Sequence, residues 1–395
     1  MSASPHVPAR PHMTALAEAL TAAGAVRTDE WAEVFARVPR HVFVPRWFEQ
    51  ETDARGITVW RERRGGSTEG DLAAVYGDRT LVTALDPGTA ERVDESAWTG
   101  IPTSSSTQPG LMAGMLEDLD VRDGHRVLEI GTGTGYNAAL LSARLGDGRV
   151  HSVDIDAALV RDARLRLSAA GFAPRLATGD GMRGHPAGGT FDRIIATCSV
   201  PSVPDAWIEQ SGPGTVLVTD LALGVEGGVV RLVVDERGRA AGHFTTNAGR
   251  FMAARTEATS YPPARRPRRA AETGTRPSSV TAADVRAHYP FRLLLGFCLP
   301  EAELVYHVDD AGTMALQIQG PDGSWARAPL TGDANSRVAH GGEPALWDRI
   351  EEAWRWWNEA GRPSHDRFGY VREADGSAYA RYIPDGARWD LPVPG

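Results

Sequence analysis

The stretch Leu128–Tyr136, LEIGTGTGY, places three glycines at alternate positions directly after an apolar run. Glycines there let a chain leaving a buried strand turn sharply, bring bare backbone against a ligand and aim the next helix's N-terminus at it. This constrains the fold strongly, because it demands a strand, a tight loop and a helix in that order. The flanking sequence continues the alternation. RVLEI, RVHSVDI, PRLATGD, FDRIIATC and GTVLVTDL read as strands, and YNAALLSARL and AALVRDARLRLSAAG as helices. Strands alternating with helices imply βαβ crossovers, so the expected fold class is α/β with a doubly wound, mainly parallel sheet. The segment GGVVRLVVDERGRAAGHF (Gly227–Phe244) reads as a hairpin turning at Arg237-Gly238, an antiparallel edge to that sheet.

The glycines are spaced GxGxG. A dinucleotide-binding loop needs its third glycine where this chain has Tyr136, and the chain has no lysine, so a Walker A loop is excluded. Acids at successive strand ends sharpen the reading. Glu129 closes the first strand, and Asp154 closes the second, about 20 residues on, where an acid accepts both ribose hydroxyls of an adenosine. Asp180, in Gly179-Asp180-Gly181, follows the third strand and is placed to meet an adenine amino group. This layout is that of S-adenosyl-L-methionine methyltransferases, whose cationic, phosphate-free cofactor suits carboxylates. The expected cofactor-binding residues are Glu129, Gly131, Thr132, Gly133, Gly135, Asp154, Ile155, Gly179, Asp180 and Gly181. The competing reading is a set of helix caps and turns in an ordinary α/β domain.

Around this core, Thr14 to Gly24 and Asp29 to Arg37 read as helices, and residues 52–103 as irregular loop or insertion with short strand-like pieces at GITVW and RTLVTAL. TSSSTQPG (Thr103–Gly110) resembles a linker but runs straight into helical spacing of Leu111, Met112, Met115, Leu116 and Leu119. Residues 260–279, rich in Pro, Arg, Ser and Thr, read as a linker. Pro344–Gly361 reads as a helix in which Trp347, Ile350, Trp354 and Trp357 share a face. The expected domains are therefore an N-terminal helical segment with insertion (1–105), a cofactor-binding domain (106–250), a linker (251–280) and a smaller C-terminal α+β, Trp-rich region (281–395) with possible peptide recognition.

Composition excludes some classes. A net charge of -9 argues against nucleic acid or an anionic membrane as partner. The two cysteines, Cys198 and Cys298, form no CxxC pair, so neither a disulfide framework nor a metal site is expected. With no apolar run near the roughly 20 residues that span a bilayer, and no signal-peptide pattern, the expected localisation is cytoplasmic.

VPRHVFVP, STQPGLMAGMLEDL, VLEIGTGTGYNAALL, GDGMRGHP and FDRIIAT occur in that order. Through them residues 15–244 resemble protein-L-isoaspartate O-methyltransferases. The resemblance implies a Rossmann-like, class I methyltransferase fold that binds S-adenosyl-L-methionine and methylates a carboxylate in a peptide or protein bearing Asp or isoAsp. It places Thr107 where the family has the serine that approaches the acceptor, making Thr107 and Ser106 the expected catalytic residues and Ser105 and Gln108 expected substrate contacts. Arg40 and Arg46, flanking VFVP, read either as a pair that steers an acidic peptide, with Arg40 a substrate contact, or as a solvated pair. The insertion after AVYGD (Ala74–Asp78) and the C-terminal extension resemble enzymes of lanthipeptide, lasso and graspetide clusters, which esterify a peptide aspartate that then closes to an aspartimide. General isoaspartyl repair, and a non-catalytic module binding cofactor or peptide, are the alternatives.

An aspartate of ordinary pKa, about 3.9, is already ionised near neutral pH. Methyl transfer to it needs no general base, only alignment and exclusion of water. Hydroxyls that donate hydrogen bonds suffice to aim the carboxylate. Thr107 has a plainer reading too, as the N-cap of the helix starting near Pro109.

Overall fold

The computed structural model describes residues 8–52, 58–65, 68–259, 266–267, 271–309, 312–330, 337–342 and 345–392. It divides into two compact units. The first holds Met1–Cys198, Pro204–Val218 and Ala254–Ser260; the second holds Ser199–Val203, Thr219–Ala253 and Tyr261–Gly395. This division differs from the sequence-based one. Residues 1–105 share a unit with the glycine loop, and the hairpin at 227–244 groups with the C-terminal residues.

The first unit opens with α1 (Arg10–Ala22), α2 (Asp29–Arg37) and the short α3 (Arg40–Phe43). Helix α1 begins four residues before the expected Thr14, because Pro11 fits a first turn where no N–H is needed. Then come β1 (Arg46–Thr52), β2 (Thr58–Arg64), α4 (Glu69–Val75), β3 (Leu81–Leu85), β4 (Ala97–Trp98) and β5 (Pro102–Ser106). These strands form an antiparallel sheet in the order β4-β2-β1-β3-β5. Residues 52–103 are thus not an irregular insertion. Charge hid the alternation: Glu49 and Glu51 bind Arg63 and Arg61 across β1 and β2 at 2.9 and 2.8 Å, so ion pairs stand where apolar residues would mark a strand. TSSS is itself β5, an edge strand of this sheet, not a linker.

The remainder of the first unit is α5 (Pro109–Asp118), β6 (Val127–Ile130), α6 (Tyr136–Leu145), β7 (Val150–Asp154), α7 (Ala157–Ala169), β8 (Arg175–Thr178), β9 (Phe191–Val200), α8 (Asp205–Glu209) and β10 (Ser211–Leu223), whose last five residues belong to the second unit. The order β8-β7-β6-β9-β10 is the expected doubly wound arrangement, with β6 parallel to both β7 and β9 and β7 parallel to β8. All four residues of β6 are buried, which is why it reads as a continuous apolar run interrupted only by Glu129. The carboxyl ends of β6, β7 and β8 therefore lie together at one edge, where α/β sheets bind ligands.

In the second unit, β11 (Glu226–Val234) and β12 (Ala240–Phe244) form the expected hairpin, closed by Asp235 and Gly238. It is not an edge, since β12 pairs onward with β18. Next are β13 (Gly274–Pro277), α9 (Ala282–Ala287), α10 (Tyr289–Cys298), β14 (Glu303–Val308), β15 (Met314–Gln319), β16 (Trp325–Pro329), β17 (Arg337–Gly341), α11 (Ala345–Glu359), β18 (Phe368–Arg372), β19 (Ala378–Tyr382) and β20 (Arg388–Leu391). Strands β13 to β17 make a separate sheet, so the end of the expected linker is a strand paired with β17. Residues 260–265 and 268–270 of that linker lie outside the described residues. Helix α11 buries Trp347, Ile350 and Trp357 as its spacing predicts. No helix among the described residues is long and apolar enough to cross a membrane.

Candidate active site

Strand β6 delivers the glycine loop. Gly131 has φ +95° and donates its N–H to Val153 O at 2.8 Å. A Cβ there would lie 2.7 Å from Thr197 Oγ1, the hydroxyl that donates to Gly131 O at 2.8 Å and holds the loop from β9. Gly133 has φ +51°, and its missing Cβ would face Ser105 O at 3.9 Å and Ser104 Oγ at 4.0 Å. The loop therefore looks directly at β5 across a gap just wide enough for backbone. Gly135 N-caps α6, and Gly179 donates to Asp154 O at 2.9 Å. Gly181 follows Asp180, its carbonyl accepting from Trp207 Nε1 at 2.8 Å.

The acids are placed differently from one another. Asp154 is nearly buried, and its Oδ2 and Oδ1 accept the N–H groups of Gly133 and Asp156 at 2.9 and 3.1 Å. Burial holds its carboxyl above the usual range. Each oxygen keeps a lone pair, so the carboxylate can still take hydroxyl donors while it fixes the loop. Asp180 accepts Met182 N–H at 2.9 Å and is part-exposed beside the loop, as is Ile155.

Glu129 departs from the expectation of direct cofactor contact. It is fully buried, and its oxygens accept from Asn137 Nδ2 at 2.8 Å and Ser152 Oγ at 2.5 Å. Ser152 Oγ in turn lies 2.6 Å from Thr132 Oγ1. Glu129 thus reaches the loop through Ser152 and Thr132, as a brace beneath it. Burial pushes its pKa up to about 7, against the opposing hydrogen bonds from Ser152 and Asn137. An unfolded glutamate titrates near about 4.3, so the native state holds a proton that the unfolded chain has lost between that pH and about 7. Stability from this group falls as pH rises through that window. Glu129→Gln is expected to remove that slope, read as a smaller difference between urea-unfolding free energies at pH 5 and pH 8.

Strand β5 and the turn after it carry the hydroxyls. Ser104 and Ser106 are buried on one face and Ser105 is half-buried on the other, so Ser105 and Ser106 do not converge as expected. Ser104, absent from the expected set, is the hydroxyl nearest Gly133. Ser106 Oγ accepts from Arg40 Nε and Nη2, both at 3.3 Å. Thr107 does not cap α5. Its hydroxyl has no hydrogen-bond partner among the described residues, and the N-cap residue is Gln108. The first turn is capped from another segment instead: Asp78 accepts Gly110 N–H at 2.6 Å and Gln108 Nε2 at 3.1 Å, while Thr80 Oγ1 accepts Gln108 N–H at 3.2 Å.

Arg40 corrects a second expectation. It is neither a solvated guide for acidic peptide nor exposed at all. Its guanidinium donates to the carbonyls of Val75, Gly77, Arg79, Ser106 and Thr107 at 2.7 to 3.3 Å. Burial lowers its pKa to about 10, opposed by Tyr136 and Asp78, so it remains charged at neutral pH. Arg40 staples the turn at 75–79 to the acceptor turn at 106–107.

A family model described as Protein-L-isoaspartate(D-aspartate) O-methyltransferase (PCMT) matches residues 90–241. The protein-L-isoaspartate O-methyltransferase of Methanopyrus kandleri is 32% identical over 207 residues, covering 51% of this chain and 74% of that protein. The chain belongs to the protein-L-isoaspartate O-methyltransferase family. That of Methylorubrum populi is 42% identical over 132 residues, 33% of this chain and 60% of that protein. A solved protein-L-isoaspartate O-methyltransferase matches at 20% identity with a TM-score of 0.51, covering 93% of this chain and 98% of its own. It shares the fold.

Members of this family are S-adenosyl-L-methionine-dependent carboxyl methyltransferases. The residues present fit that cofactor. Gly133 sets bare backbone against β5, Asp154 and Asp180 offer carboxylate acceptors after β7 and β8, and no lysine is available for phosphate. Sequence reasoning missed Asp78, Ser104, Asn137, Ser152 and Thr197. Asn137 and Thr197 stand as single polar residues in apolar runs, NAALL and IIATC, and a buried polar residue needs a partner. Asp78 had no comparable signal, since its partner lies 32 residues away.

Proposed function

We propose that this chain esterifies an aspartyl carboxylate in a ribosomally made, modified peptide, promoting closure to an aspartimide. The observation that carries the carboxyl-methylation reading is the opposition of Gly133 to β5, which puts the hydroxyl strand beside the cofactor loop. Asp154 and Asp180 hold the adenosine end, and Gly131, Gly133 and Thr132 line its path. When bound, S-adenosyl-L-methionine supplies a methyl group on a sulfonium sulfur, which leaves as a neutral thioether once a carboxylate oxygen has displaced it.

Thr107 presents a half-buried hydroxyl with a proton to donate. It orients one carboxylate oxygen, while Ser106, Arg40 and Asp78 fix the turn that carries it. No proton moves in this step, because the acceptor is already ionised. In the next step the following backbone nitrogen forms a bond to the ester carbonyl carbon, and methanol departs with the nitrogen's proton. The thermodynamic contribution of the site is positioning in a water-poor gap.

A hydrogen bond to a charged group contributes about 1.5–3 kcal/mol, so Thr107→Val is expected to lower kcat by about tenfold or more. Cofactor affinity, measured by calorimetry, should stay within about twofold. Equal losses in both would contradict the division of roles between the turn and the loop.

Repair of isoaspartyl sites in proteins is the second reading. It is favoured by the solved protein-L-isoaspartate O-methyltransferase whose fold covers 93% of this chain. Incubation with methyl-labelled S-adenosyl-L-methionine and matched Asp and isoAsp peptides separates the two. Efficient turnover of many unrelated short isoAsp peptides would overturn the specialised reading, whereas methylation of Asp in one peptide class followed by loss of methanol supports it.

A further inference from the structure

The small sheet in the first unit presents one half-exposed face, and its strand register ties that face to the acceptor strand. Residues directly opposite in antiparallel strands point to the same side. Ser105 of β5 is opposite Val82 of β3, and Val82 is opposite Phe48 of β1. Gln50, two residues along β1 and so on the same side, is opposite Trp60 of β2, and Trp60 is opposite Trp98 of β4. A single stripe therefore crosses all five strands, from Ser105 through Val82, Phe48 and Trp60 to Trp98. Four strand spacings of about 4.8 Å make it roughly 19 Å long, the reach of about six extended residues.

The stripe has a cleft and a charge. Strands β1 and β3 pair only at Phe48–Val82, and where they part a cleft of about 480 Å³ opens. Phe48, Gln50, Trp60, Thr80 and Val82 line it together with Glu49 and Glu51, whose charges are already met by Arg63, Arg79 and Arg61. That volume lies within the usual range for ligand sites, about 300–1,000 Å³. Its wall residue Thr80 is the one whose hydroxyl accepts Gln108 N–H, so the cleft adjoins the support of the acceptor turn. Two exposed arginines lie over the aromatic rings of the stripe, Arg46 over Phe48 at 5.5 Å and Arg92 over Trp98 at 5.3 Å. Neither makes an ion pair among the described residues, while Glu62 on the same face is taken by Arg64 at 3.2 Å. In a chain of net charge -9, this face carries uncompensated guanidinium.

We propose that this stripe is the docking surface for the polypeptide flanking the methylated carboxylate, and that it selects an acidic flank. The inference rests on the peptide carboxyl methylation proposed above. Aromatic rings and stacked guanidinium groups favour an extended chain with carboxylate side chains: the rings bury its apolar parts, and the arginines pair with its charges as they leave water. An acidic flank would otherwise be repelled by the chain as a whole, so the local reversal of charge also orients the approach.

The test uses fluorescein-labelled 12-residue peptides with one central Asp, flanked by Glu, by Gln or by Lys, and reads anisotropy with the full chain. Wild type should bind the Glu-flanked peptide about tenfold more tightly than the Gln-flanked one. Arg46→Gln/Arg92→Gln should remove that preference, and Arg46→Glu/Arg92→Glu should turn it toward the Lys-flanked peptide, a gain that unfolding cannot mimic. Equal affinity for the three peptides in wild type, or an unchanged preference in both double variants, overturns the proposal. So does tighter displacement by a single-stranded oligonucleotide of equal charge, which would assign the face to nucleic acid. Methyl transfer is followed in parallel. Charge-selective binding without transfer to any peptide defeats the proposed function and leaves the surface standing; transfer with no flank preference does the reverse.

Discussion

Asp154→Ala is expected to raise the dissociation constant for S-adenosyl-L-methionine at least about 100-fold. In the folded chain its carboxylate accepts the Gly133 and Asp156 N–H groups and sits nearly out of water. Removing it leaves two part-buried donors unsatisfied, at about 1–3 kcal/mol each, and strips the acceptors that face the ribose. A hundredfold change corresponds to about 2.7 kcal/mol, the size of one or two hydrogen bonds from ribose hydroxyls to a charged group at about 1.5–3 kcal/mol each. Asp154→Asn separates the two contributions, since its carbonyl keeps one N–H bond but carries no charge. It should fall between wild type and alanine. Calorimetric titration reads all three, and an alanine variant binding within threefold of wild type would remove Asp154 from the cofactor site.

Arg40→Ala should be the most damaging single change to the acceptor side. It would leave five carbonyl oxygens and Ser106 Oγ without the donors that now satisfy them, in a buried pocket. Breaking such a network typically costs about 3–5 kcal/mol. Lysine does not repair it, because one ammonium offers three donors from a point where guanidinium offers five in a plane. The expected result for Arg40→Lys is a folded protein with lowered midpoint in urea, near-normal cofactor affinity and kcat reduced at least as far as in Thr107→Val. Loss of cofactor affinity in parallel with kcat would show that Arg40 supports the whole unit and has no special hold on the turn.

The βαβ core was legible because its strands are buried on both sides and its glycines have one purpose. The run VLEI, the alternation after it and the GxGxG spacing each point to the same loop. Residues 46–106 were legible only in pieces, GITVW and RTLVTAL falling on β2 and β3, and the sheet they belong to was not, for the opposite reason. There the sheet faces are built from arginine, glutamate, serine and threonine, and the pairing partners sit up to 38 residues apart, as Trp60 and Trp98 do. Arg40 and Glu129 show a further limit. Charge at a motif position suggests contact with a charged or polar ligand, yet both side chains turn inward and act on the site through serines and backbone carbonyls. Residue type announced polarity, and only the packing decided what it was spent on.

The double attachment of the acceptor turn has a consequence for how this chain can vary. Asp78 and Thr80 on one side, Gln108 and Gly110 on the other, and Arg40 gripping both from below close a loop whose two ends meet. Everything between, residues 81–106, hangs from that clasp. Lengthening a loop already closed at its base costs little, about 0.6 kcal/mol for each doubling. The clasp therefore fixes both ends of residues 81–106 beside Thr107, so the connection between β3 and β5, residues 86–101, can change length while Thr107 stays at its station.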